Sequence, residues 1–256
     1  MGGPRDLDFP SYDGRLRLYG RAYGADGRKH VIVCLHGLTR NSLDFDVLAR
    51  RLAAAGNRVL AFDQRGRGRS SWDREGVNYQ LDVYVRDMVA ALDQMGVRRT
   101  VLIGTSMGGL MSMLMAVTAP DRIAGIVLND VGPEVEARGL ERIRGYVGRR
   151  PPPATWAAAA EAVAADNAVA FPDYGDDDWL AFARRVYIED GDGRITAAYD
   201  PAIAEGLKPG ETAVAPPTCG RSGTRCPRSP CSRFAARHPI SFRRRPWRGW
   251  PPVTPA

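Results

Sequence analysis

The pentapeptide Gly104-Thr105-Ser106-Met107-Gly108 constrains this chain more than any other feature, because of where it stands. It follows a short β-branched run, TVLI at 100–103, and opens an apolar segment of helical character, GLMSMLMAV. A glycine-flanked serine at a strand-to-helix junction forms a sharp turn that lifts a hydroxyl above the strand end, and the glycines give that turn its room. The N–H of Met107, at the helix start, then faces any negative charge that develops beside the hydroxyl. Ser106 is therefore the candidate nucleophile and Met107 a candidate oxyanion donor, framed by Gly104 and Gly108.

The surrounding pattern sets this turn in a layered frame. Residues 6–24 alternate apolar and polar positions around Tyr12-Asp13-Gly14, predicting two antiparallel edge strands. HVIVCL at 30–35 has no polar alternation, as expected of a parallel strand covered on both faces. Helical spacing over Ser42–Ala55, a strand at Arg58–Phe62, a helix at Leu81–Met95, the TVLI strand, a helix at Met107–Val117 and a strand at Ile123–Leu128 follow. Such repeated units predict an α/β fold, a doubly wound, mostly parallel sheet with right-handed crossovers, over residues 1–132. Residues 133–217 read as short helices without strands. A segment of that length is no bare connection, so a helical cap over one end of the sheet is expected. Its aromatic residues, Trp156, Phe171, Trp179, Phe182 and Tyr187, either face an apolar acyl group or hold the cap's own core.

A second element lies at His36-Gly37-Leu38, directly after the first parallel strand. Its glycine permits a tight turn where ligands bind in open α/β sheets, and the N–H of Leu38 is a second candidate oxyanion donor. His36 is either a general base or, as expected here, a turn residue whose ring fixes the loop. The loop Asp63-Gln64-Arg65-Gly66-Arg67-Gly68-Arg69-Ser70 lacks the Lys-Ser/Thr pair and the third glycine of phosphate-binding loops. It reads instead as a hydrogen-bonded base for the pocket, with Asp63 accepting backbone or Arg65 donors.

Among 256 residues, 44% are hydrophobic and 25% charged, a globular composition, and no apolar run approaches the roughly 18 residues of a membrane span. The opening MGGPRDLDFPSYDG carries no secretory apolar stretch, so cytoplasmic residence without a membrane partner is expected. The net charge of +7 points to an anionic partner until it is counted by segment. Residues 218–256 hold nine Arg and no acid, and removing nine from the 36 basic residues leaves 27 against 29 acidic ones before that point. The basicity is thus a property of a low-complexity tail expected to be disordered. Cys34 lies in an apolar run, while Cys219, Cys226 and Cys231 lack CxxC spacing and have only His238 nearby, so no disulfide, metal or cofactor is expected.

Together, HGLTRNS, DQRGRGRS, GTSMGG and VLNDVGP resemble, in order and spacing, the α/β-hydrolase superfamily, and in particular its small capped bacterial serine esterases and lactonases, across roughly residues 8–215. The resemblance implies that Ser106 is the nucleophile and that the N–H groups of Leu38 and Met107 form the oxyanion hole. A serine, where dehalogenases and epoxide hydrolases of the superfamily use aspartate, implies acyl transfer from a small ester, lactone or related carbonyl compound to water. The superfamily's chain order of nucleophile, acid and histidine is not completed here. His238, in AARHPISF, reads as a tail residue, and Asp130, just past IAGIVLN, is either an alternative acid or a loop cap.

The tail itself suggests a shifted reading frame. Read one base out of register, His238–Arg243 permits Ala-Ser-Asp-Leu-Leu-Ser, similar to the acid-bearing turn of these hydrolases, and the flanking stretches permit family-like sequence as well. On that reading the terminal strands and helix are replaced by an Arg/Pro-rich tail, the acid stood where Ile240 is, and the histidine lay beyond Ala256. A weak or inactive hydrolase is therefore expected. The alternatives are a non-catalytic remnant that binds small molecules and, ranked last, an anionic-polymer binder using the tail arginines with Trp247 and Trp250. A frame shift alone produces the arginine excess, so no nucleic-acid partner is expected. No residue pattern sets an oligomeric state.

Overall fold

The computed structural model describes residues 3–26, 30–132 and 137–207. The expectations for residues 208–256, including the tail, His238 and Ile240, lie outside the described residues. Strand β1 (Arg5–Pro10) pairs antiparallel with β2 (Arg17–Tyr23) across a turn in which Gly14 takes φ 71°. Beyond it, β3 (Val31–Leu35), β4 (Arg58–Asp63), β5 (Thr100–Thr105) and β6 (Ile123–Asn129) run parallel, and the sheet order is β1-β2-β4-β3-β5-β6. The predicted doubly wound, mostly parallel sheet is present.

Strand periodicity divides the core. Val33, Leu35, Leu60 and Phe62 face the side packed by α2 (Leu81–Gln94) and α3 (Met107–Thr118). Their neighbours Ile32, Cys34, Val59 and Ala61 face α1 (Asp46–Ala54) on the other side. Because both faces are covered, β3 and the Val59–Phe62 centre of β4 are apolar at successive positions, and each large buried side chain contributes about 1.5–3 kcal/mol. The Cys34 thiol is fully buried among them, and desolvation pushes its pKa up to about 12.

Helices α4 (Ala137–Tyr146), α5 (Trp156–Asn167) and α6 (Asp176–Val186) follow β6. The second and third pack through Ala159, Val163, Phe182 and Ala183, with Phe171 edge-on to Trp179 at 6.4 Å and to Phe182 at 5.9 Å. Trp156 and Tyr187 pack against the same cluster, so all five aromatic residues serve the layer's own core.

The expectation that strands cease after β6 needs correction. A hairpin joins β7 (Tyr187–Glu189) to β8 (Ile195–Ala197). Asp190-Gly191-Asp192-Gly193 supplies its turn, with Gly193 at φ 78° and its N–H donating to Asp190 O at 3.0 Å. Helix α6 stops at Val186 and the chain passes straight into β7, because the Asp-Gly turn that begins at Asp190 favours strand pairing over a further helical turn.

The chain then returns to the core. Gly68 N–H donates to Ala198 O at 2.8 Å, Asp200 N–H to Gly66 O at 2.7 Å, and the Tyr79 hydroxyl to Asp200 Oδ2 at 2.6 Å. Asn41 Nδ2 donates to Arg185 O at 2.6 Å, and the Arg40 guanidinium lies 4.1 Å from the Phe182 ring centroid.

Candidate active site

The chain leaves β3 toward β4 on one side, while β5 and β6 continue on the other, so the C-terminal ends of β3 and β5 flank the point where the winding reverses. Leu35 and Gly104 are paired there. Loops leaving adjacent strands in opposite directions open a crevice, the usual ligand position in such sheets. The two motifs singled out from the sequence meet at this point.

Ser106 takes φ 50° and ψ −114°, outside the regions that residues with side chains ordinarily occupy. Its N–H donates to Asn129 O at 3.0 Å, and its carbonyl accepts from Gly109 N–H at 2.8 Å and Leu110 N–H at 3.1 Å, so the helix starts on the serine itself. The strained residue is held by packing from three sides. A Cβ on Gly108 would overlap the carbonyl of Leu35, one on Gly104 would overlap the backbone of Gly108, and one on Gly109 would overlap Val131. Helix α3 thus crosses β3 and β5 at a separation that only glycine allows.

His36-Gly37-Leu38 lies against this elbow: an ideal Cβ on Gly37 would stand 3.8 Å from Ser106 Cβ. His36 is 1% exposed, and both ring nitrogens are used. Nδ1 donates to Gly37 O at 2.7 Å, and Nε2 accepts the Gln64 N–H at 3.0 Å. Burial depresses its pKa to about 4 against the opposing pull of the Asp63 charge, so the ring is neutral at ordinary pH. Gly37 O also accepts from Arg40 N–H at 3.1 Å. Because the peptide is planar and trans, a Gly37 carbonyl held toward His36 and Arg40 turns the Leu38 N–H to the opposite side. Among the described residues, neither the Leu38 nor the Met107 N–H has a hydrogen-bond acceptor.

The loop after β4 supports this arrangement. Asp63 accepts the N–H of Ser42 at 2.6 Å and of Arg69 at 2.9 Å, which selects the backbone alternative for that side chain. Arg65 instead pairs with Asp87 at 2.7 Å and Asp73 at 2.8 Å, all three buried. Arg67 is fully buried and donates through Nε to Leu38 O at 2.9 Å. The sequence reading assigned it no role of its own, since a charged residue between two glycines carries no mark of which way it points.

Asp130 follows Asn129, the register partner of Thr105, and so stands at the strand end next to Ser106. It is exposed, with φ 54°. His30 precedes β3, at the opposite end of the sheet from Ser106. With His36 engaged, no described histidine offers a free nitrogen to the serine.

Comparison with known proteins matches residues 30–168 to a family described as the alpha/beta hydrolase fold. The chain is 38% identical over 135 residues to a 3-hydroxybutyrate-oligomer hydrolase of Cupriavidus necator, covering 53% of this chain and 46% of that protein. It is 36% identical over 102 residues to epoxide hydrolase B of Mycobacterium tuberculosis, covering 40% and 29%. The chain thus spans less than half the length of these curated relatives. Among solved structures, an alpha/beta hydrolase from Novosphingobium aromaticivorans superposes with a TM-score of 0.75 at 47% identity, over 80% of this chain and 71% of that one.

Proposed function

Because this chain belongs to the α/β-hydrolase fold family, we propose that it is a serine hydrolase acting on a small ester, lactone or related carbonyl compound through an acyl-enzyme on Ser106. The observation that carries this reading is the strained Ser106 backbone, φ 50° and ψ −114°, at the reversal point of the sheet. A residue held in such a conformation by surrounding packing points to a functional constraint. In the proposed reaction Ser106 Oγ attacks the substrate carbonyl, and the tetrahedral oxyanion accepts the N–H groups of Leu38 and Met107. The serine proton passes to solvent, collapse breaks the C–O bond and the alcohol leaves with a proton taken from solvent, and a water then adds to the acyl carbonyl, releasing the acid and restoring the Ser106 hydroxyl. A relative named for hydrolysing 3-hydroxybutyrate oligomers fits this substrate class, since such oligomers are joined by esters.

The Ser106 proton needs an acceptor, and neither His30 nor His36 supplies one. We place turnover by this chain well below that of a complete triad, at or under the roughly 10³–10⁴-fold over water that a bare oxyanion hole and binding retain. Asp130 is a described carboxylate whose register suits the acid, but with no described histidine to orient it is expected to act as a loop residue. The test combines p-nitrophenyl butyrate hydrolysis with fluorophosphonate labelling of the chain, Ser106→Ala and Asp130→Asn. Slow labelling and feeble turnover, both lost in Ser106→Ala and unchanged in Asp130→Asn, are expected. Absence of labelling at Ser106 overturns the serine reading in favour of a small-molecule binder. Robust turnover lost in Ser106→Ala overturns the attenuation, and loss in folded Asp130→Asn makes that residue the acid.

A further inference from the structure

We infer that Arg67 is a positioning residue for the oxyanion hole, locking the Leu38 turn and the Met107 helix start together from beneath. The inference rests on the Ser106 reading and assigns a part to a residue that the reaction itself does not touch.

The starting observation is the cost of its placement. Arg65 and Arg67 are both 0% exposed and stand two residues apart on one loop. The Arg65 charge is met by Asp87 and Asp73. Among the described residues no carboxylate lies within ion-pair distance of Arg67, and a buried guanidinium without an anion is strongly disfavoured unless its donors are satisfied and its charge serves a purpose.

Four of its five N–H groups are directed at a particular set of acceptors. Nε donates to Leu38 O at 2.9 Å, while Nη1 donates to Arg65 O at 2.8 Å and to the Tyr84 hydroxyl at 2.9 Å. Nη2 donates to Met107 Sδ at 3.8 Å. The Tyr84 and Tyr79 ring centroids lie 4.7 Å and 5.5 Å from the guanidinium carbon, so two aromatic rings take the place of a counter-ion. One planar, rigid fork therefore touches both residues whose N–H groups form the hole.

The geometry gives this contact a consequence. The peptide on the amino side of Leu38 is oriented by the bonds of Gly37 O to His36 and Arg40. The peptide on its carboxyl side is oriented by Arg67 through Leu38 O. Both torsions at Leu38 are thereby restrained, and its N–H is fixed relative to the Met107 helix start. The fork also holds a positive charge, shielded from solvent, in contact with both residues of the hole. Lysine has a single nitrogen and cannot span these acceptors.

The test uses the full chain with Arg67→Met and Arg67→Lys, each checked for folding by near-ultraviolet circular dichroism. Fluorophosphonate labelling of Ser106 separates the limiting rate from the half-saturating concentration, and ¹⁵N relaxation reports order at Leu38. The expected result is a fall of about 10-fold or more in the limiting rate for Arg67→Met, a smaller fall for Arg67→Lys, and a half-saturating concentration within about 2-fold of the parent. Leu38 should gain motion while the amides of β3 and β5 do not. A folded Arg67→Met with the parental rate and a rigid Leu38 overturns the inference, as does loosening spread evenly through the sheet. If the parent is not labelled, the serine reading fails, and the relaxation at Leu38 still decides the positioning role. If neither variant folds, the unsubstituted chain decides: a slowly exchanging Arg67 Nε–H whose shift moves on phosphonylation supports the inference, and a rapidly exchanging one overturns it.

Discussion

Ser106 and Asp130 end neighbouring parallel strands and share an unusual backbone, φ 50° and φ 54°, which no other described residue with a side chain adopts. Their surroundings differ. Ser106 sits where α3, β3 and β5 approach so closely that Gly104, Gly108 and Gly109 have no room for a Cβ, with a neutral buried histidine and a buried arginine behind the adjoining turn. Asp130 is exposed, and Gly132 just beyond it has open space where a Cβ would go. A positive φ by itself is cheap for aspartate in a loop, whose short polar side chain tolerates it. For Ser106 the ψ of −114° takes it outside even the left-handed helical region, at about 1–3 kcal/mol that the surrounding packing must offset. The pair separates a strand end enclosed by close backbone packing from one that turns in open space.

Three measurements can break or sharpen this contrast. The largest effect is expected from adding one methyl at each strand end: Gly108→Ala should lose about 3 kcal/mol or more in denaturant unfolding, because the clash is with backbone, whereas Gly132→Ala should stay within about 0.5 kcal/mol. Equal losses would remove the distinction.

Next comes pH. His36 titrates near 6.5 when unfolded and at about 4 when folded, so between these values the unfolded chain binds the extra proton and stability falls as pH drops. The loss should approach roughly 3 kcal/mol by pH 4 and be absent from His36→Asn; a parallel pH dependence in both proteins would show that the ring is not the titrating group. The smallest effect is relief of strain. Ser106→Gly should raise stability by roughly 1 kcal/mol, the strain relieved less the entropy of a glycine, while Asp130→Gly should change it by less than about 0.5 kcal/mol.

Much of this was legible in the residues. The unbroken apolar runs of β3 and β4 and the helical spacing of α2 locate the sheet and its cover because two-sided burial forces those patterns. The elbow was legible because a serine between glycines at a strand end has few other uses. The hairpin of β7 and β8 was not, since strands of three residues are too short to show a period and their turn resembles any loop. Arg67 was hidden for a different reason. Lysine and arginine are almost never fully buried without a partner, so composition argues for solvent, and only the meeting of residues 38, 67, 84 and 107 in space reveals the inward direction.

The ties between the helical layer and the core also bear on the order in which the chain assembles. The Asn41 to Arg185 bond spans 144 residues and the Tyr79 to Asp200 bond 121. The strands that frame Ser106, by contrast, are complete by Asn129. Closing long loops carries an entropic penalty that only a preformed surface can repay, so the seam is expected to form late, on a sheet already wound. A ribosome-bound chain would thus present a finished elbow before the layer docks. During that interval the incomplete chain is open to chaperones and to self-association, and the yield of folded protein depends on how quickly residues 185–200 find their place.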